Sequence, residues 1–149
     1  MEIHGTVRDI LKNKGGEVWT ISPQKTVYEA IRLMGEKNIG ALVVVDGDMV
    51  VGMLSERDYS RKIVLQGRAS RDTLVDAILA HPVITVQSTD NIEKCMQLMT
   101  SRRIRHLPVV DDGHLVGLVS IGDLVNWVML SQRHTILQLQ GYISGEYPG

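Results

Sequence analysis

The chain of 149 residues is predicted to adopt a mixed α/β (α+β) fold. It reads as two copies of one α-β-α-β-β-α unit related by a pseudo-twofold axis. Three observations carry this. First, the stretch Leu107 to Asp123 (LPVVDDGHLVGLVSIGD) reads strand, tight turn, strand, helix start. Second, Leu42 to Asp58 (LVVVDGDMVVGMLSERD) says nearly the same thing earlier. Third, Thr20 and Thr85 lie 65 positions apart, and that offset runs without a gap to Asp58 and Asp123. Over those roughly forty positions about twelve residues are identical, where composition alone would give two or three.

The elements follow in order. Thr6 to Lys14 has Val7, Ile10 and Leu11 at helical spacing, and Gly15-Gly16 ends that helix. Val18 to Ile21 is a short strand and Ser22-Pro23 a turn. Thr26 caps a helix with Val27, Ala30, Ile31 and Met34 on its apolar face, and Asn38 and Gly40 stop it. Ala41 to Val45 is a continuous apolar strand, buried on both faces. Asp46-Gly47-Asp48 turns the chain into the strand Met49 to Leu54. A helix then runs from Ser55 through Tyr59 and Ile63 to about Leu65. The polar connector Gly67 to Asp72 precedes the second copy. There Thr73 to Leu79 (TLVDAIL) echoes Thr6 to Lys12 (TVRDILK), and Val83 to Val86 echoes Val18 to Ile21. The helix after Ser120 runs past Met129. Ile136, Leu137, Leu139 and Ile143 suggest a further helical piece, and Gly145 to Gly149 a loose end. The expected division is 1–67, 68–130, and a helical tail over 131–149.

Composition narrows the function classes. The chain is 44% hydrophobic and 22% charged with net charge −1, which is globular, with no field favouring nucleic acid or an anionic membrane. Aromatic residues are 4%, with no Phe, so base-stacking platforms are scarce. A single cysteine, Cys95, excludes an internal disulfide and fits a reducing compartment. The start lacks a signal-peptide pattern and no apolar run spans a bilayer. A cytoplasmic location is expected.

Three strands make too small a sheet to stand alone, so two copies are expected to bury their open sheet faces against each other and leave two related clefts at the seam. The residues there set the expected chemistry. Ser55-Glu-Arg-Asp58 and Ser120-Ile-Gly-Asp123 read plainly as helix capping boxes. They also suit a nucleotide: a hydroxyl at a helix N-terminus beside phosphate, and a carboxylate accepting both hydroxyls of a ribose. The two readings are compatible. In Arg102-Arg-Ile-Arg-His106 the first two arginines read as a solvated helix end, whereas Arg105 and His106 stand at the mouth of a strand, poised to hold phosphate. The first copy has Gly40 and Ala41 there, and Arg57 where the second has Gly122, so the clefts are not equivalent. Thr20 and Thr85 are plain β-formers whose hydroxyls could also reach a base or phosphate. Cys95 and the methionines at 34, 96 and 99 are core. The five histidines are scattered, with no metal-ligand spacing. No phosphate loop, nucleophile elbow or nucleophile–base pair is visible, so the chain is read as a non-enzyme with no catalytic residues and no catalytic cofactor.

With these residues in view, the chain resembles a pair of CBS domains, the Bateman module, and in particular its small stand-alone members. RIRHLPVVDDGHLVGLVSIGDL is similar to the typical second repeat and SERDYSRKIVLQG to the first. The resemblance covers about Val7 to Met129. It implies a disc-like pair that dimerises with a second pair and binds an adenine nucleotide: AMP, ADP, ATP, or sometimes NAD or S-adenosylmethionine. By residue type it implies Asp58 and Asp123 on riboses and Ser55 and Ser120 near phosphate, joined by Arg57, Arg105 and His106. Thr20, Gly40, Ala41, Thr85, Ile104, Leu107 and Pro108 would line the adenine slots, partly through backbone. No catalytic, channel or DNA-binding domain is expected, and the receiver of the signal is an effector protein left open. The rival readings are a dimerisation adaptor without small-molecule ligand and, more weakly, a nucleic-acid binder using Arg102, Arg103 and Arg105.

Overall fold

The structure, a computed structural model, describes residues 3–79 and 83–144, without the side chains of 134–136, 138, 139 and 141–144. The expected loose end at 145–149 and His81 lie outside the described residues, as do the side chains of Ile136, Leu139 and Ile143.

Helix α1 spans Val7–Lys14, with Thr6 and Asp9 forming a capping box: the Thr6 N–H donates to Asp9 Oδ2 at 2.8 Å. Strand β1 is Thr20–Ile21, helix α2 Val27–Lys37, strand β2 Ala41–Asp46 and strand β3 Met49–Ser55. Thr26 caps α2 by accepting the Glu29 N–H at 3.2 Å, and Asn38 ends it in the left-handed region at φ 55°. β1 pairs parallel with β2, and β2 antiparallel with β3. Leu42, Val44 and Leu54 point to the helix side, where they pack with Val27, Ala30 and Met34. The first four residues of β2 are buried, as its unbroken apolar run predicts. The second copy repeats this with α4 over Ile92–Arg102, β4 over His106–Asp111, β5 over His114–Ser120 and α5 over Ile121–Ser144. The expected further helical piece is the continuation of α5 without a break.

The structure departs from the sequence reading in three places. After Ser55 a single turn, α3 (Glu56–Asp58), passes into a π-helix over Tyr59–Val64. There the Leu65 N–H donates to the Ser60 carbonyl at 3.1 Å, five residues back. The wide turn puts Ile63 in the core and leaves Val64 and Leu65 57% and 78% exposed. Second, Val18 to Ile21 contracts to two residues, and Val83 to Val86 contracts to one parallel bridge from Val86 to Val109. The second contraction has a plain cause. In the first sheet the Val43 N–H donates to the Trp19 carbonyl; the matching position is Pro108, which has no N–H, so that rung cannot form. Third, Thr73 to Leu79 is a short 3-10 turn over Val75–Ile78 rather than a second copy of α1, and Leu79 is already extended at φ -69° and ψ 140°.

These leading segments are exchanged between the sheets. Val7 and Ile10 of α1 are buried in the second core with Val86, Leu107, Val109 and Leu124, while Val75 and Ile78 are buried in the first. Backbone bonds fix the docking: the Val7 N–H donates to the Asp90 carbonyl at 2.9 Å, and the Val75 N–H to the Lys25 carbonyl at 2.8 Å. Asp90 and Lys25 are themselves 65 apart, so Val75 occupies the place of Val7. The lettered echo between TVRDILK and TLVDAIL is therefore one residue out of register with the packing. Leu11 lies over Gly117 and Leu79 over Gly52 in the same way.

The N-terminal segment is strapped to α5. Trp127 Nε1–H donates to the His4 carbonyl at 2.8 Å, and the Trp127 ring covers Gly5. Gly5 has φ +114°, and a Cβ there would meet the ring at 2.6 Å. Gly5→Ala is expected to destabilise the protein by about 1–3 kcal/mol, from left-handed strain and displacement of the indole. The drop in the urea midpoint measures it, and an unchanged midpoint would show that the strap is not required.

Candidate functional site

Strand register decides which residues reach the seam. Residues directly opposite in a ladder share a face. Thr20 pairs with Val43 and Val43 with Met53, while Ala41 pairs with Ser55. These five residues therefore lie on one face of the first sheet, opposite the face that Leu42, Val44 and Leu54 turn to the helices. On the second sheet His106 pairs with Ser120 and Pro108 with Leu118, again opposite the core-facing Leu107, Val109 and Val119. The sheets meet through β3 against β4 and β5. Val43 is fully buried yet belongs to neither helix-side core, as expected of a residue between the sheets.

Each Ser-x-x-Asp forms a closed capping box. The Ser55 N–H donates to Asp58 Oδ2 at 3.0 Å, and the Asp58 N–H donates to Ser55 Oγ at 3.2 Å. The Ser120 N–H donates to Asp123 Oδ2 at 2.8 Å and the Asp123 N–H to Ser120 Oγ at 3.2 Å. The strand mouths are tied to these boxes. The Glu56 N–H donates to the Gly40 carbonyl at 3.0 Å and the Ile121 N–H to the Arg105 carbonyl at 2.8 Å. Gly40, Ala41, Ser55 and Asp58 are thus one cluster, and Arg105, His106, Ser120 and Asp123 another. Arg57 and Arg105 are exposed.

The remaining expected positions divide. Pro108 is buried on the seam face. Thr85 is exposed just before the Val86 bridge. Thr20 is exposed, at the rim of a groove of about 620 Å³ that also takes in Ser22, Lys25 and Arg32 but neither Ser55 nor Asp58. Leu107 is wholly buried in the helix-side core and Ile104 is partly buried against the same core, so it is the backbone of Leu107 that can face a ligand, in keeping with a lining made partly through backbone. The reason is alternation: Leu107 stands between two seam-facing neighbours.

Two lysines enter the clusters that sequence reading did not single out. Lys14 Nζ lies 2.7 Å from Asp123 Oδ2 and donates to the Leu118 carbonyl at 2.9 Å. Lys62 Nζ donates to the Ile78 carbonyl at 2.8 Å and lies 3.8 Å from Asp58 Oδ1. The Asp58–Lys62 spacing of four is a legible helical pair; the Lys14–Asp123 pair, 109 positions apart, has no local signal. Electrostatics follow from these contacts. Burial would raise the Asp123 carboxyl, but the Lys14 ammonium and the Ser120 N–H outweigh it and hold the group below its ordinary value. Burial, then Lys14 and Arg105, hold the His106 imidazole below 6.5 against the pull of Asp123.

Among the described residues no cluster of His, Cys, Asp and Glu is arranged to hold a metal ion, and no helix is long and apolar enough to cross a membrane. Comparison with known proteins gives a consistent result. Residues 7–65 and 75–130 each match the family model of the CBS domain. The chain is 41% identical over 151 residues to the CBS domain-containing protein CBSX3, mitochondrial, of Arabidopsis thaliana, with 95% of this chain and 73% of that one covered. It is 50% identical to a solved putative signal-transduction protein with CBS domains from Burkholderia ambifaria, with a TM-score of 0.81 and coverage of 86% and 96%. The CBS domain pair of protein MJ0100, solved in complex with 5′-methylthioadenosine and S-adenosyl-L-methionine, is 25% identical with a TM-score of 0.76, covering 85% and 98%.

The surroundings of His106 disfavour its protonated form. The neutral imidazole is favoured by the fold, so its contribution to stability is complete above 6.5 and is lost as pH falls through the lower folded value. A histidine ring-proton NMR titration is expected to place His106 below 6.5, and Lys14→Met to move it upward. An unshifted His106 in the variant would remove Lys14 from its surroundings.

Proposed function

The chain belongs to the CBS-domain family, carrying the domain twice, and on that footing we propose that it is a regulatory, non-catalytic module that senses an adenine nucleotide at the seam between its repeats. The nucleotide is AMP, ADP, ATP or NAD. One observation carries this reading: both repeats present a Ser-x-x-Asp box at a strand mouth on the sheet face turned to the other repeat, with Arg57 and Lys62 near one and Lys14, Arg105 and His106 near the other. That arrangement offers hydroxyl acceptors for a ribose and cations for phosphate. The adenosine-bearing ligands named for the MJ0100 pair support the class. Asp58 and Asp123 are assigned to ribose, Ser55 and Ser120 with Arg57, Arg105 and His106 to phosphate, and Gly40, Ala41, Thr85 and Pro108 to the base through backbone and apolar contact. Thr20 and the backbones of Ile104 and Leu107 complete the assignment.

Output is proposed to run through a second copy and an effector protein. Val125, Met129, Leu130 and Leu137 on α5 are each about half exposed, more apolar surface than a helix facing water needs. The same observation favours the rival reading, an adaptor that dimerises without a ligand.

Calorimetric titration with AMP, ATP and NAD separates the two. Binding is expected, with ligand at a hundred times Kd raising the unfolding free energy by about 2.7 kcal/mol. Asp58→Asn combined with Asp123→Asn is expected to abolish it without changing the oligomer. Flat titrations with all three nucleotides would leave the adaptor.

A further inference from the structure

The two clefts hold their carboxylates differently. Each Oδ2 accepts from its serine N–H, but the second donor to Asp58 Oδ2 is the neutral Ser55 hydroxyl at 3.1 Å, whereas at Asp123 Oδ2 it is the Lys14 ammonium at 2.7 Å, with side chains 35% and 21% exposed for lysine and aspartate. Lys14 comes from the exchanged helix α1, whose Val7 and Ile10 are anchored in the second core. It is the last residue of that helix, and Gly15 follows at φ +90° with open space around it. The anchor fixes where Lys14 starts, and the Gly15 N–H, donating to the Leu11 carbonyl at 2.8 Å, closes the helix behind it. In the first cleft the matching contact is weaker. Lys62 spends its short bond on the Ile78 carbonyl and stands 3.8 Å from Asp58.

We propose that Lys14 makes the second cleft selective for the charge on its ligand, accepting phosphorylated adenine nucleotides and rejecting the uncharged nucleoside. This rests on the reading of Asp123 as the ribose acceptor. A ribose that takes the carboxylate displaces the ammonium, leaving Lys14 with the Leu118 carbonyl beside Arg105 and the half-buried His106. A nucleoside leaves the displaced ammonium near Arg105 with no charged partner on the ligand, which costs binding. A phosphate on the same ribose gives the displaced ammonium a charged partner. The first cleft, where among the described residues the lysine partner stands 3.8 Å from Asp58, lacks this discrimination and takes nucleoside and nucleotide more evenly.

The test uses Asp58→Asn protein, so that the second cleft is read alone, titrated by calorimetry with adenosine and with ADP. ADP is expected to bind at least about tenfold tighter than adenosine. Adding Lys14→Met is expected to weaken ADP by about tenfold while adenosine affinity holds or rises, and Lys14→Arg to restore the preference for ADP. If Lys14→Met weakens both ligands by one factor, or neither, charge selection is wrong. If Asp123→Asn changes neither titration, it is the ribose assignment that fails. The two failures are therefore told apart.

Discussion

Neither sheet of this protein is closed by the sequence copy that builds it. The first, three-stranded, receives Val75 and Ile78 from the segment leading into the second copy; the second receives Val7 and Ile10 from α1 at the start of the chain. The exchange follows from size. Two or three short strands with two helices cannot exclude water from one side, and each fully buried Val or Ile contributes roughly 1.5–3 kcal/mol. The two cores are locked together by this crossing, and it delivers Lys14 to a carboxylate it could not otherwise reach.

Much of this was legible in the letters. The offset of 65 positions located the paired hairpins, the Ser-x-x-Asp boxes and the pseudo-symmetry, because turn chemistry and strand alternation are local signals. Thr26, Ser55 and Ser120 all cap helices as their spacing predicts, and Thr6, read as the first residue of its helix, stands at the N-cap. What escaped was whatever depends on a partner far along the chain. The true register of the exchanged segments lies one residue from the lettered echo, since Val75 is placed by a bond to Lys25 and not by resemblance to Arg8. The loss of a strand before Val86 follows from one missing N–H at Pro108. The π-helix after Asp58 has no period of its own to read. Leu107 was placed at the seam by the family resemblance, and alternation along β4 turns its side chain to the other face.

The capping and ligand readings of Ser-x-x-Asp need not compete. A box that closes on itself holds a carboxylate and a hydroxyl in a fixed geometry at a strand mouth, which is the preorganisation a binding site requires. The cap determines where the groups stand, and the surrounding cations determine what can join them. The repeats keep the first and differ in the second. Gly40 and Ala41 are replaced by Arg105 and His106, and among the described residues a clamp from a distant helix is present on one side only. Pseudo-symmetry of the frame thus coexists with inequivalent chemistry in its two clefts.

The crossing also bears on how the chain is made. Synthesis runs from the N-terminus, and domains tend to fold as they emerge. Here the first hairpin and α2 leave the ribosome with their core open, because Val75 and Ile78 are still to come. Helix α1, made before either, has no surface to settle on until Leu107, Val119 and Leu124 have been added. The contact between Lys14 and Leu118 spans 104 residues, a separation that slows folding. A nascent chain halted at the Gly67 to Asp72 connector therefore carries an undocked amphipathic helix and an unfinished core together.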